Sequence, residues 1–184
     1  MKVPAVFLDR DGTLIYDKHY LKVPQQVKLY AYCAESINKL KNAGYKVIVV
    51  TNQSGIARGM FSEHELGKVH DYFVKMLEMQ GAKVDDIFYC PHIDEDNCKC
   101  RKPKTGMVLQ AQKKHGIDIK KSFVVGDHIR DYQLGFNMGG KGILILTGHG
   151  KKQVQKIPNE SIKPFAICRT LKQAVNLILK HKEK

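Results

Sequence analysis

Val3-Pro4-Ala5-Val6-Phe7-Leu8-Asp9-Arg10-Asp11-Gly12-Thr13 decides how the rest of the chain is read. Residues 3–8 are a short apolar run, the pattern of a strand buried in a parallel sheet. The run stops abruptly on two carboxylates and a glycine. Asp9 and Asp11 can converge once the chain leaves its pleat, and Gly12 permits the turn that this requires.

Outward from this strand, short apolar runs alternate with helical stretches. Residues 31–43 place Ile37 and Leu40 on one helix face, with Gly44 as a stop. Val47-Ile48-Val49-Val50 is β-branched and too short for a helix. Ser62 and Glu65 have the spacing of a capping box, which opens a helix reaching about Gln80. Strands are expected at 87–89, 122–125 and 142–146, and an edge strand at 166–168. Helices are expected at 106–115, 129–138 and 171–181. The alternation predicts an α/β fold, a doubly wound and mostly parallel sheet in one domain over 1–184. In such sheets ligands bind outside the carboxyl ends of the strands, where Asp9, Thr51 and Asp127 fall.

Composition narrows the class of protein. The chain has 184 residues, 43% hydrophobic and 27% charged, enough for a core without disulfides. No apolar run approaches the roughly 18 residues of a membrane span, and the N-terminus lacks the pattern of a leader, so no membrane partner and a cytoplasmic location are expected. The net charge of +13 favours phosphorylated ligands. Lys151-Lys152 and the tail Lys180-His181-Lys182-Glu183-Lys184 read as solvated surface. Nothing in the sequence demands a dimer, and a monomer is expected.

A carboxylate such as Asp9 can attack phosphorus and carry the phosphoryl group as an acyl phosphate. It approaches a phosphate only if a cation offsets the charge, which calls for Mg²⁺ on carboxylate oxygens. Asp127 is the natural further ligand, and Asp131 stands one helical turn on. Thr51 and Asn52 offer donors, and Arg101-Lys102 offers positive charge. Phosphoryl transfer needs little more than such positioning and charge stabilisation.

Cys90-Pro91-His92 and Cys98-Lys99-Cys100 give a C-x-H, five-residue, C-x-C spacing. Three thiolates and one imidazole complete a tetrahedral zinc site with no place left for substrate, so the zinc is read as structural. The loop at 90–102 would aim Arg101 and Lys102. Cys33 and Cys168 stand apart and are expected to be buried as small hydrophobes.

Together these residues resemble the haloacid dehalogenase superfamily of phosphatases, from Val6 to about Gly150. The resemblance implies that Asp9 is the nucleophile and Asp11 the general acid/base. It also implies phosphoryl stabilisation by Thr51 and Lys102, and Mg²⁺ held by Asp9, Asp11 (through its carbonyl) and Asp127. The gaps beyond Asp11 and Thr51 are too short for a cap domain. Thr51-Asn52-Gln53-Ser54-Gly55-Ile56-Ala57-Arg58-Gly59, the zinc loop and Lys102-Pro103 resemble the subfamily of heptose-bisphosphate and histidinol-phosphate phosphatases. That likeness implies substrate contacts at Asp17, Lys18, His19, Tyr20, Asn52, Gln53, Ser54, Arg58, Arg101 and His128. His128 departs from the lysine usual there. Arg58 and Arg101 are expected to grip a second phosphate. The implied reaction is hydrolysis of the C7 phosphate of D-glycero-D-manno-heptose 1,7-bisphosphate in lipopolysaccharide or ADP-heptose biosynthesis. Histidinol-phosphate phosphatase and nucleic-acid 3′-phosphatase are the alternatives. Nucleic acid is the disfavoured partner, because basic residues and aromatics form no common stripe.

Overall fold

Alternate residues of strand β1 (Ala5–Leu8) point to opposite faces of the sheet, and both faces are buried. Val6 and Leu8 pack with Ile37 and Leu40 of helix α1 (Cys33–Asn42), Phe73 and Leu77 of α2 (Glu63–Met79), and Leu171 and Ile178 of α6 (Leu171–Lys182). Ala5 and Phe7 pack with Met107, Val108 and Ala111 of α3 (Gly106–His115) and Leu134 of α4 (Ile129–Asn137). This two-sided burial explains the continuous apolar run. The computed structural model describes residues 2–182.

The remaining strands are β2 (Lys46–Asn52), β3 (Asp86–Cys90), β4 (Phe123–Gly126), β5 (Lys141–Ile145) and β6 (Ala166–Cys168). All pairs are parallel, in the order β3-β2-β1-β4-β5-β6. Phe7 lies opposite Ile48 on one side and Val124 on the other. The chain winds outward from β1 through β2 to β3, then returns to β4 and winds the other way. The gap between β1 and β4 is therefore a topological switch point, where the crossovers leave a crevice. The Asp9 main-chain N–H still donates to Val125 O at 3.0 Å, so Asp9 leaves the ladder at the mouth of that crevice.

The Ser62–Glu65 capping box forms, and α3 spans the expected residues. Short α5 (Gly150–Gln153) and the 3-10 turn Val154–Asn159 were not foreseen. They carry no apolar period and include Pro158. Cys33 and Cys168 are buried, as expected. The described residues form no separate cap domain, and no helix among them is long and apolar enough to cross a membrane.

Candidate active site

Asp9 follows β1 and Asp127 follows β4, so the two stand on either side of the switch point. With Asp131 in the first turn of α4 they form a buried group in which one carboxylate oxygen from each lies within 4.8 Å of the others. Lys102 reaches into this group. Its ammonium donates to Asp9 Oδ1 at 2.6 Å, Asp131 Oδ1 at 2.7 Å and Val50 O at 2.8 Å. Burial pushes the Asp9 carboxyl up to about 7, against the pull of Lys102, and Asp131 and Asp11 add to the rise. Burial, with Asp9 and Asp131 nearby, pushes Asp127 up to about 9. Burial opposes the charge on Lys102, but Asp131 and Asp9 outweigh it and hold the ammonium above the ordinary lysine range. Three carboxylates share one ammonium here, and a hard divalent cation on oxygen ligands fits the deficit.

The Asp11 carboxylate is not in that group. Arg10 donates to it through Nε at 3.1 Å and Nη2 at 3.2 Å, and Gln53 Nε2 donates at 2.9 Å. Gln53 Nε2 also lies 2.8 Å from Thr51 Oγ1, which leaves the threonine O–H free to donate elsewhere. Asn52 brackets the Lys102 peptide, accepting its N–H at 3.0 Å and donating to its carbonyl at 3.3 Å. The amide therefore positions Lys102. Gly12 adopts φ +77, and a Cβ there or at Gly148 (φ +48) would fall on the Asp127 carboxylate. Gly12→Ala is accordingly expected to lower stability by about 1–2 kcal/mol through backbone strain. It should lower kcat much more than that loss would suggest, because Asp127 must move. Thermal unfolding and steady-state kinetics on one preparation check this.

The cleft above these groups has a volume of about 320 Å³. Asp17, His19, Tyr20, Ser54, Arg101 and His128 line it, as expected. Lys18 and Arg58 do not, and both side chains are exposed. Arg130 and His149, which the sequence did not single out, line it too. His149 donates its main-chain N–H to Asp127 Oδ2 at 2.6 Å, while its Nε2 reaches Asp17 Oδ2 at 2.8 Å. It thus joins the carboxylate group to the 17–20 loop. His128 caps α4: its N–H donates to Asp131 Oδ2 at 2.9 Å, and its Nδ1 accepts from the Arg130 N–H at 3.2 Å. Burial, with Arg130, Lys102 and His149 close by, pulls the imidazole down to about 4 despite Asp131. His128 is therefore neutral at pH 7, with Nε2–H as its donor.

Cys90, His92, Cys98 and Cys100 converge at the end of β3. Cys100 Sγ lies 3.0 Å from Cys90 Sγ and 3.5 Å from Cys98 Sγ, and His92 Nδ1 lies 3.3 Å from Cys100 Sγ. Burial raises the Cys98 thiol, but the Arg101 N–H at 3.3 Å and the neighbouring thiols bring it down to about 7. Three sulfurs and one imidazole nitrogen close together, with a thiol poised to ionise, suit one tetrahedral ion.

The family model described as polynucleotide kinase 3 phosphatase matches residues 4–164. The chain belongs to this family. The D-glycero-alpha-D-manno-heptose-1,7-bisphosphate 7-phosphatase of Photorhabdus laumondii is 38% identical, over 80% of this chain and 85% of its own length. The beta-named enzyme of Pasteurella multocida is 41% identical, over 83% and 90%. A solved D,D-heptose 1,7-bisphosphate phosphatase from B. bronchiseptica, complexed with magnesium and phosphate, superposes with a TM-score of 0.86. It is 32% identical and covers 97% of this chain and 99% of that one. Relatives named for both anomers resemble the chain at similar identity.

Proposed function

We propose that the chain hydrolyses the C7 phosphate of D-glycero-D-manno-heptose 1,7-bisphosphate through a phosphoryl-aspartate on Asp9, in a single phosphatase domain acting as a monomer. The chain is a phosphatase by family, and its heptose-named relatives support the substrate. The observation that carries the mechanism is the buried Lys102 ammonium, 2.6 Å from Asp9 Oδ1. It fixes one carboxylate oxygen and leaves Oδ2 to attack.

Asp9 Oδ2 bonds to phosphorus as the bond from phosphorus to the sugar oxygen breaks. Asp11, held by Arg10 and Gln53, gives that oxygen a proton. Asp11 then takes a proton from water, which attacks the phosphoryl-aspartate and releases phosphate and free Asp9. Thr51 O–H and Lys102 bind the phosphoryl oxygens as charge develops on them. Asp9, Asp127 and the Asp11 carbonyl would hold Mg²⁺. The bound ion offsets the phosphate charge that otherwise repels a carboxylate. Asp131 keeps Lys102 in place.

Zinc in the Cys90, His92, Cys98, Cys100 set fixes the loop that carries Arg101 and Lys102. Metal analysis should find about one zinc per chain, the content of one closed site. Cys98→Ser is expected to lower stability by at least about 2 kcal/mol, as loss of a structural metal does, and to lower kcat/KM through Arg101 and Lys102. Zinc-free protein of full stability and activity would contradict it.

The decisive assay compares kcat/KM for heptose bisphosphate, histidinol phosphate and a 3′-phosphorylated oligonucleotide. The heptose bisphosphate should lead by more than about tenfold, or 1.4 kcal/mol. The family's description and the +13 charge favour the oligonucleotide as second reading. A lead for either competitor would overturn the heptose assignment and leave the phosphatase chemistry standing.

A further inference from the structure

Asp17-Lys18-His19-Tyr20 runs beside the cleft between buried Ile15 and Leu21, with no helix or strand of its own. His19 and Tyr20 take φ of +44 and +51, the left-handed region that favours glycine. Two such residues in succession keep that backbone only where their surroundings over-determine it. Lys18, His19 and Tyr20 are exposed, so packing does not supply the constraint. Asp17 does. Its Oδ1 accepts the His19 N–H at 2.9 Å and closes the turn, while its Oδ2 meets His149 Nε2 at 2.8 Å. Both carboxylate oxygens therefore already serve the protein.

His149 stands on a rigid support. Thr147 Oγ1 donates to Gly12 O at 2.6 Å, the His149 N–H donates to Asp127 Oδ2 at 2.6 Å, and the Gly150 N–H donates to Thr147 O at 2.7 Å. A Cβ on Gly150 would fall on Ile145 O, so the segment is closely packed as well as bonded. We propose that His149 is a specificity-determining positioning residue: through Asp17 it fixes the 17–20 turn beside Asp127, so that His19 and Tyr20 meet the sugar and Asp17 does not. This deepens the heptose reading above and rests on it. The His149 ring lies 6.2 Å from the His19 ring, which lies 6.3 Å from that of Tyr20, and all three line the cleft. Such rings offer apolar faces to sugar carbons and polar tips to hydroxyls. The His149 side chain is 45% exposed, and a pair so exposed adds little to global stability. What it settles is the place of the turn. The main-chain bond to Asp127 survives every substitution at 149, so variants isolate the imidazole.

The test measures kcat and KM for heptose 1,7-bisphosphate and for phenyl phosphate, a small ester without a sugar. His149→Ala, His149→Gln, Asp17→Ala and the double alanine variant stand beside the parent chain, and amide hydrogen exchange over residues 16–21 is followed in each. His149→Ala should speed that exchange. It should also shrink the preference for the sugar by about tenfold, through the sugar KM, as loss of a hydrogen bond to a charged group does. His149→Gln should restore most of the preference, because its amide can donate to Asp17 from nearly the same place. The double variant should match Asp17→Ala to within about twofold, because the imidazole acts only through that carboxylate. Unchanged exchange in His149→Ala, or a preference unchanged to within about twofold, overturns the positioning role. A larger further loss in the double variant shows His149 touching the substrate itself, which also overturns it. A parent chain with no preference for the heptose overturns the heptose reading and the selective role together, and faster exchange in His149→Ala then still shows the tether.

Discussion

Asp9→Asn is expected to fold like the parent chain and to lose about four orders of magnitude or more in kcat, the scale seen when a covalent nucleophile is removed. An amide has nearly the shape of the carboxylate, and its oxygen can still accept from Lys102. It is a poor nucleophile towards phosphorus, so binding survives and transfer stops. Metal-free protein gives the variant a second signature. Burial holds the Asp9 carboxyl near 7 in the folded chain, above its ordinary value of 3.8. The folded state therefore binds more protons than the unfolded state between those values, and this group makes stability fall as pH rises through them. Asparagine removes that fall. Denaturant titrations at pH 4 and pH 7 check it, alongside mass spectrometry to exclude deamidation. Residual kcat within tenfold of the parent would sink the covalent mechanism.

Lys102→Met is expected to be the most damaging substitution for stability. Breaking a buried ion pair from one side costs about 3–5 kcal/mol, because the carboxylates stay buried without compensation. Here two carboxylates lose their ammonium at once, Asp9 at 2.6 Å and Asp131 at 2.7 Å. The lysine is held above 10.5, its ordinary value, so its stabilisation is fully present at pH 7 and is lost only at higher pH. Loss of phosphoryl-oxygen stabilisation should also lower kcat by about 10²- to 10³-fold. Mg²⁺ should restore more stability to the variant than to the parent, since it offsets the same surplus of carboxylate charge. Unfolding midpoints with and without Mg²⁺ measure this. Equal gains in both proteins would show that Lys102 and the metal do not share those carboxylates.

The sheet was legible because β1, β2 and β4 are buried on both faces, which writes them as apolar runs that stop at polar residues. Asp9, Thr51 and Asp127 were legible for the same reason: strand ends in a doubly wound sheet converge. The convergence of Cys90, His92, Cys98 and Cys100 was legible from spacing alone. The rim was not. His149 meets Asp17, and Arg130 of α4 meets Asp94, between segments distant in sequence, and no local period records such meetings. Arg58 shows the converse. Its place in a familiar run suggested a substrate contact, but the turn that follows Ser54 carries its side chain out to solvent. Gln53 and Asn52 line the cleft, and their hydrogen bonds also hold Asp11, Thr51 and Lys102, which no local pattern recorded. Arg130 left one trace in the sequence, a cation where a helix N-terminus favours an anion.

Acid quench of a single turnover with heptose bisphosphate labelled at its C7 phosphate, followed by borohydride reduction and peptide mapping, tests the central claim most directly. Borohydride converts an acyl phosphate to the alcohol, so Asp9 should appear as homoserine in the peptide holding residues 3–13. Label bound to the parent chain should rise and then fall within the turnover, as the intermediate forms and is hydrolysed. Label on another residue, or complete turnover with Asp9 never modified, would contradict the account.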